Sequence, residues 1–546
     1  MSALALPLLQ LLFLTSLAAG ATGQEQQLTV QTATGTYTGL IDTDAFPGVR
    51  QFRSIAYAEP PIGARRWLAP VAAPASRRQF FARRFPPSCP QYQSRNLTAW
   101  TTNITDFAVR LYGQSFTAGA MAQASSEDCL YLAVWAPLLN SSSSVTTPTT
   151  AAANTTQQPL LPVALFLPGG DFVGGGVDVP YQRPAGLVAH AAAAGQPVIA
   201  VTANYRVNIA GFPWAAGLAA QNVGVLDMRA ALEWVYANIA AFGGDPARIT
   251  LWGQSAGGVA ADLLAYAYPD DPLVAGLFLQ SGTAMVNISY PDAGHTNFTF
   301  VARNVGCDFP SDPAAELACM RQVPMSLLQN FVGQYKDNGT RPSLTFKPVP
   351  DGERVFFNYT ARTAAGRIAR VPALVSTTSN EQSTLYRYPT TNVTAGPWQA
   401  GVDAATVGVF VCLASNTTAA RARQGLTTYR YEYAGNFSSL TPLPWMGAYH
   451  ASDVPMLFGT YGGRTGVEPF QRLVADAMQD SLIAFMYDAE NGLRARGWLP
   501  HDQLAGSAVG GRNLMRFAAG GIVAQNVSAA QVDDACVLGT KYNSSP

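Results

Sequence analysis

The stretch Ile249-Thr-Leu-Trp-Gly253-Gln-Ser255-Ala-Gly257-Gly258-Val-Ala constrains this chain more than any other: an apolar run that reads as a buried strand passes through Gly-x-Ser-x-Gly straight into a helical pattern. A strand-to-helix turn that sharp strains the backbone of its central serine and leaves no room for Cβ atoms, which accounts for the small residues at 253, 256 and 257. The serine hydroxyl is thereby thrust up at the carboxyl end of the strand. The five-residue pattern alone is weak. With 49 glycines in 546 residues and serine at a typical ~7%, chance supplies about 0.3 matches in a chain of this length, so the strand, turn and helix context carries the weight.

Further short apolar runs at Leu130–Pro137, Pro162–Leu167, Pro197–Ala203 and Leu277–Gln280 read as strands, and Val225–Phe242 and Gly257–Tyr266 carry helical periodicity. Buried strands alternating with helices predict an α/β fold with a mostly parallel central sheet covered on both faces. At 48% hydrophobic residues the chain can bury a large core. No internal repeat and no long linker divides it, so a single large domain is expected over 24–543, interrupted by a solvated Ser/Thr-rich loop at 139–159.

A serine hydroxyl is a poor nucleophile until a base takes its proton, and that base needs a third group to hold its tautomer. The chain has four histidines. Hydrolases with this kind of turn place the three groups in the order serine, acid, histidine, which excludes His190. His295 lies between the sequons at Asn287 and Asn297, and His501 follows Trp498-Leu-Pro500, so both read as surface residues. His450, on a glycine-containing turn before an apolar segment, is the candidate base. The acid must follow a strand between the two, and Pro372-Ala-Leu-Val-Ser-Thr-Thr-Ser-Asn380-Glu381 supplies Glu381.

An oxyanion formed by attack on a carbonyl needs preorganised N–H donors. Leu165-Phe-Leu-Pro168-Gly169-Gly170-Asp171-Phe172-Val-Gly174-Gly-Gly176 is a glycine-rich loop directly after a strand, and the backbone N–H groups of Gly170, Asp171 and Ala256 are the candidate donors. A phosphate cradle is the rival reading, but the loop lacks the Lys-Ser/Thr ending of a P-loop and the spacing of a dinucleotide fingerprint. No metal or organic cofactor is implied.

Residues 1–21 read as a signal peptide, an apolar core followed by small residues, although without Lys or Arg before it. Asn-x-Ser/Thr acceptors at Asn96, Asn103, Asn140, Asn154, Asn287, Asn297, Asn338, Asn358, Asn392, Asn416, Asn436, Asn526 and Asn543 predict a surface that carries N-linked glycans. Six cysteines, at 89, 129, 307, 319, 412 and 536, contain no C-x-x-C and suit a disulfide framework in an oxidising compartment, with every pairing left open. The formal net charge is zero, which offers no footprint for nucleic acid or an anionic membrane. After the leader no run approaches a membrane span, and a soluble mature protein is expected.

Taken together, these residues resemble the type-B carboxylesterase family, which includes cholinesterases and secreted fungal esterases and lipases. The likeness runs through Phe52-Arg-Ser-Ile-Ala-Tyr57-Ala-Glu59-Pro60-Pro61-Ile-Gly63, Ser126-Glu-Asp-Cys129-Leu-Tyr-Leu132, Asn204-Tyr-Arg206 with Gly211-Phe212, Phe242-Gly-Gly-Asp-Pro246, Gly253-Gln-Ser-Ala-Gly-Gly258, Gln280-Ser-Gly282, Asn380-Glu381 and Gly447-Ala-Tyr-His450. The resemblance implies an α/β-hydrolase fold, a triad of Ser255, Glu381 and His450, and disulfides pairing Cys89 with Cys129, Cys307 with Cys319, and Cys412 with Cys536.

Departures from that family bear on substrate. Cholinesterases place an acidic residue before the nucleophile and a cation-binding tryptophan before the second cysteine of the first disulfide loop; here stand Gln254 and a tryptophan-free run from Thr117 to Ala124. An onium group loses its counter-charge and its cation–π partner, so choline esters are rejected. Asp171 replaces the usual Gly or Ala of the oxyanion loop, and its carboxylate is expected to point outward. Sequons at Asn96 and Asn103 in the Cys89–Cys129 loop, which is the lid in lipases of the family, should hold that loop in water. Trp100, Phe107 and Phe116 keep a lipase or sterol esterase as the alternative. A binding or adhesion protein on the same fold is the more remote one. The reading is a secreted serine esterase, or one of a secretory or lysosome-like lumen, acting on small neutral carboxylic esters, its oligomeric state open.

Overall fold

The computed structural model describes residues 27–109, 118–122, 124–138, 159–286, 292, 294–501, 513–537 and 540–546. The expected signal peptide, nearly all of the 139–159 loop, Phe116 and the sequons at Asn140, Asn154 and Asn287 lie outside the described residues.

Among the described residues eleven strands form the central sheet: β1 (Leu40–Asp42), β2 (Phe46–Ala56), β3 (Tyr131–Pro137), β4 (Leu161–Leu167), β5 (Ile199–Ala203), β6 (Gly244–Gln254), β7 (Gly276–Gln280), β8 (Ala373–Thr378), β9 (Thr428–Tyr433), β10 (Asn513–Phe517) and β11 (Ala524–Ser528). Their spatial order is β11-β10-β9-β8-β7-β6-β4-β5-β3-β2-β1. The six pairings from β5 through β4 to β10 are parallel, and the edges are antiparallel. Each expected strand is present to within a few residues.

The pleat divides the strand residues between two cores. Leu165 and Leu167 of β4, with Leu251, Leu277 and Leu279, face the helices α2 (Val223–Asn238) and α3 (Ala256–Ala267), where Met228, Leu232, Val259 and Leu263 are buried. Ala164, Phe166, Trp252 and Phe278 point the other way, against α1 (Ala185–Ala193) and α5 (Pro469–Tyr487). With both faces covered, strands such as β4 are apolar at every position rather than at alternate ones.

β4 lies between β5, which follows it in the chain, and β6, which follows β5, so the direction of winding reverses there. At such a switch point the loops leaving the carboxyl ends diverge and open a crevice. The Pro168–Gly176 loop and Ser255 leave from those two ends.

One helical segment departs from the sequence reading. Gln399–Arg423, which passes through a π-helical turn at Val407–Val411, is long and apolar enough to cross a membrane by length and composition. Here it packs into the domain. Its last part, α4 (Cys412–Arg423), buries Thr417, Thr418 and Arg421, and Thr417 donates to Thr283 at 2.9 Å. Alanines and valines with few charges among them raise the average hydropathy of a helix packed against a domain as they do that of a membrane span. The described disulfides join Cys89 to Cys129, Cys307 to Cys319 and Cys412 to Cys536, the last tying α4 to the C-terminal helix.

Candidate active site

Ser255 sits between β6 and α3 with φ 57° and ψ −124°, an uncommon region for a residue with a side chain. The surrounding contacts hold it there. Its N–H donates to Gln280 O at 2.8 Å and its carbonyl accepts from Val259 N at 3.0 Å. A Cβ at Gly253 would come 2.0 Å from Gly257 O, and one at Gly257 would come 1.9 Å from Leu167 O, so neither position admits a side chain.

Glu381 follows β8 in a single 3₁₀ turn and is fully buried. Its Oε1 accepts from Thr378 N at 2.8 Å and Ser281 Oγ at 2.7 Å, and its Oε2 lies 2.5 Å from His450 Nδ1. A carboxylate only accepts, so the imidazole donates from Nδ1, and in its neutral form presents a lone pair at Nε2. That atom is 3.2 Å from Gln254 Nε2. Among the described residues no hydrogen bond joins Ser255 to His450; such bonds commonly tighten only once substrate is bound.

Asn380 fastens the histidine loop to the acid turn. Its Nδ2 donates to Trp445 O and Met446 O at 3.1 and 2.9 Å, and its N–H donates to Ala448 O at 3.0 Å. The structure thus brings Ser255, Glu381 and His450 to one end of the sheet. It places the other histidines elsewhere: His190 on Asp480, His295 against Trp214, and His501 beside β9. His501 is a correction to the sequence reading, being only 1% exposed. Its own N–H docks on Thr428 O at 2.7 Å.

The loop after β4 lies alongside. A Cβ on Gly169 would stand 2.7 Å from Gln254 O and 3.0 Å from Ser255 Cβ, so the loop touches the serine turn. Among the described residues, none accepts a hydrogen bond from the N–H of Gly170, Asp171 or Ala256. The Asp171 carboxylate turns to Lys347, whose Nζ is 2.6 Å away.

Aromatic rings enclose the histidine. Phe410 lies 5.0 Å and Trp100 6.5 Å from the imidazole between ring centres, and Phe107 packs on Tyr181 at 4.6 Å. Trp100 and Phe107 belong to the Cys89–Cys129 loop, and both are partly buried.

A second buried acid, Asp453, lies three residues past the histidine. It is fully buried, accepts from Tyr431 Oη at 2.9 Å, and is pushed up to about 6 by burial, with the nearby Glu381 charge adding to the rise. Sequence reasoning missed it, together with the roles of Ser281, Gln254, Asn380 and Lys347. The Gln280-Ser281-Gly282 tripeptide at the end of a strand was the only local signal for Ser281.

The sheet order, the strand-to-helix serine turn and the switch-point crevice define an α/β-hydrolase. The model of the carboxylesterase family matches residues 26–396. A chlorogenic acid esterase of Aspergillus niger is 39% identical over 522 residues, covering 93% of this chain and 94% of its own length. Secreted lipase 5 of Gibberella zeae is 35% identical over 532 residues with the same coverage. Human neuroligin-2 is 32% identical over 354 residues, 62% of this chain and 39% of its own length. The chain belongs to the carboxylesterase family and is a carboxylic ester hydrolase.

Proposed function

We propose that the protein is a secreted, N-glycosylated serine esterase that cleaves small neutral carboxylic esters through an acyl-enzyme. Ser255 Oγ attacks the carbonyl carbon while its proton passes to His450 Nε2. Glu381, bonded to the opposite ring nitrogen, holds the tautomer and stabilises the imidazolium. The N–H groups of Gly170, Asp171 and Ala256 receive the oxyanion. The imidazolium returns its proton to the departing alkoxide, and water, deprotonated by the same nitrogen, releases the acid. The observation that carries this reading is the buried Glu381–His450 pair at 2.5 Å beside the Ser255 turn.

Trp100 and Phe410 beside the imidazole favour a planar, aromatic acyl group, in keeping with the A. niger relative named for chlorogenic acid. The lipase reading draws on the Gibberella relative, but Trp100 and Phe107 are spent on inward contacts rather than on a face for lipid. Glycans on Asn96, which is exposed, would keep that loop in water.

Hydrolysis of p-nitrophenyl esters from acetate to palmitate and of ethyl cinnamate, by the wild type and Ser255→Ala, tests the proposal. Turnover of short-chain and aromatic esters, lost in the variant, is expected. Preference for palmitate with a rate jump above the solubility limit would replace it with the lipase reading, and activity surviving in Ser255→Ala would overturn the mechanism.

A further inference from the structure

Asp171 is an awkward residue for an oxyanion loop, since a carboxylate beside a developing negative charge opposes the reaction. Its backbone is held. Asp171 has φ 57° and the next residue, Phe172, has φ 58° and is fully buried, edge-on to Phe212 at 5.4 Å. The direction of the Asp171 N–H is thereby set, and only the side chain, 55% exposed, is left to choose between solvent side and site.

Lys347 makes that choice, and its own position is fixed from behind. Thr345 O accepts from Asn297 Nδ2 at 3.2 Å, and Val349 exchanges two hydrogen bonds with the buried Asn222 amide, at 2.9 and 2.7 Å. Phe346 between them is buried. The lysine side chain is only 18% exposed and delivers its ammonium to Asp171 Oδ1 at 2.6 Å. The lysine is therefore the anchored member of the pair, and the aspartate the one that is held.

We propose that Lys347 is a positioning residue of the esterase site: it draws the Asp171 carboxylate away from the oxyanion position and neutralises it, so that the loop offers its N–H donors without an opposing charge. The contact spans 176 residues of sequence and replaces, by ion pairing, what a glycine or alanine at 171 would achieve by having no charge. The pair is partly exposed, and such pairs add little to stability. Its value lies in the field at the site rather than in holding the fold.

The inference rests on the oxyanion-hole reading above, and the test separates the two. Steady-state hydrolysis of p-nitrophenyl acetate is measured for the wild type, Ser255→Ala, Lys347→Met, Lys347→Arg and Lys347→Met/Asp171→Asn, with a melting temperature for each. Lys347→Met is expected to lose about tenfold or more in kcat, roughly 1.4 kcal/mol per decade, with KM changed less than about threefold and melting within about 2 °C of the wild type. Lys347→Arg should lose less. The double variant should regain most of the loss, because removing the carboxylate removes the need for the lysine. An unchanged kcat in Lys347→Met, or an equal loss in the single and double variants, overturns the inference while wild-type turnover that Ser255→Ala abolishes leaves the esterase reading standing. Turnover equal in the wild type and Ser255→Ala would instead remove that reading itself.

Discussion

Replacing Asp453 by asparagine should stabilise the protein at neutral pH and hardly at all in acid. The carboxyl has an ordinary value of 3.8 and is pushed up to about 6 in the folded protein, chiefly by burial, while the neighbouring Gln280 side chain and the bond from Tyr431 work in the opposite direction. A group that holds its proton more tightly when folded favours the folded state only while protonated. As pH climbs through ~4 to ~6 the unfolded chain ionises freely and the folded one resists, so stability is lost across that window and the loss is complete above it. A rise of about 2.2 units at 1.36 kcal/mol each amounts to ~3 kcal/mol at pH 7.5, against ~0.5 kcal/mol at pH 4. Asparagine retains an acceptor for Tyr431 Oη and carries no charge at either pH. With an unfolding entropy of about 2.1 cal/mol/K per residue over a chain of roughly 520 residues, ~3 kcal/mol corresponds to ~3 °C. Melting curves of the wild type and Asp453→Asn at a fixed scan rate, at pH 7.5 and pH 4, read this out. A variant that melts at or below the wild type at pH 7.5, or one that gains equally at both pH values, would refute the claim that Asp453 is a buried charge held at a cost.

Gln254→Glu places a carboxylate where an amide now lies 3.2 Å from His450 Nε2. An adjacent negative charge favours the imidazolium, so the acid limb of the kcat/KM profile should move up by about 1 unit or more; a limb that stays put or moves down would show that the amide does not face the base. Asp227→Ala removes the bidentate partner of Arg206, buried at both ends with contacts of 2.7 and 2.6 Å. Stranding that guanidinium should cost about 3–5 kcal/mol, seen as a melting temperature lower by roughly 3–5 °C, and a drop of under about 1 °C would mean that water reaches Arg206.

What could be read from the sequence follows the range of the interactions involved. The serine turn was legible because strand, turn and helix are contiguous, and the steric demand at 253 and 257 falls on residues within the motif or, through Leu167 O, on the neighbouring strand. The strands β4, β5 and β7 and the Ile249–Gln254 part of β6 were legible because burial on both faces leaves an apolar run with no charges. Helix 399–423 was not: the same average hydropathy suits a core helix and a membrane span, and only its neighbours decide between them. His501 failed in the same way, since a polar local sequence does not reveal that His501 itself is buried beside β9.

The sequence by itself determined the class of fold, the nucleophile turn with its strain, and the order in which a base and an acid must follow it, because these depend on local sterics and on periodicity along the chain. Tertiary structure decided everything that depends on charge meeting charge across the molecule. Gln254 meets His450 across 196 residues and Ser281 meets Glu381 across 100. Asp453 becomes a costly acid only because the fold buries it against Tyr431 of β9, out of reach of water. Lys347 is one of many cations in the chain until the fold sets it against Asp171. A residue's type states which bonds it can make, while the dielectric around it and the distance to its partner, both products of packing, set what those bonds are worth.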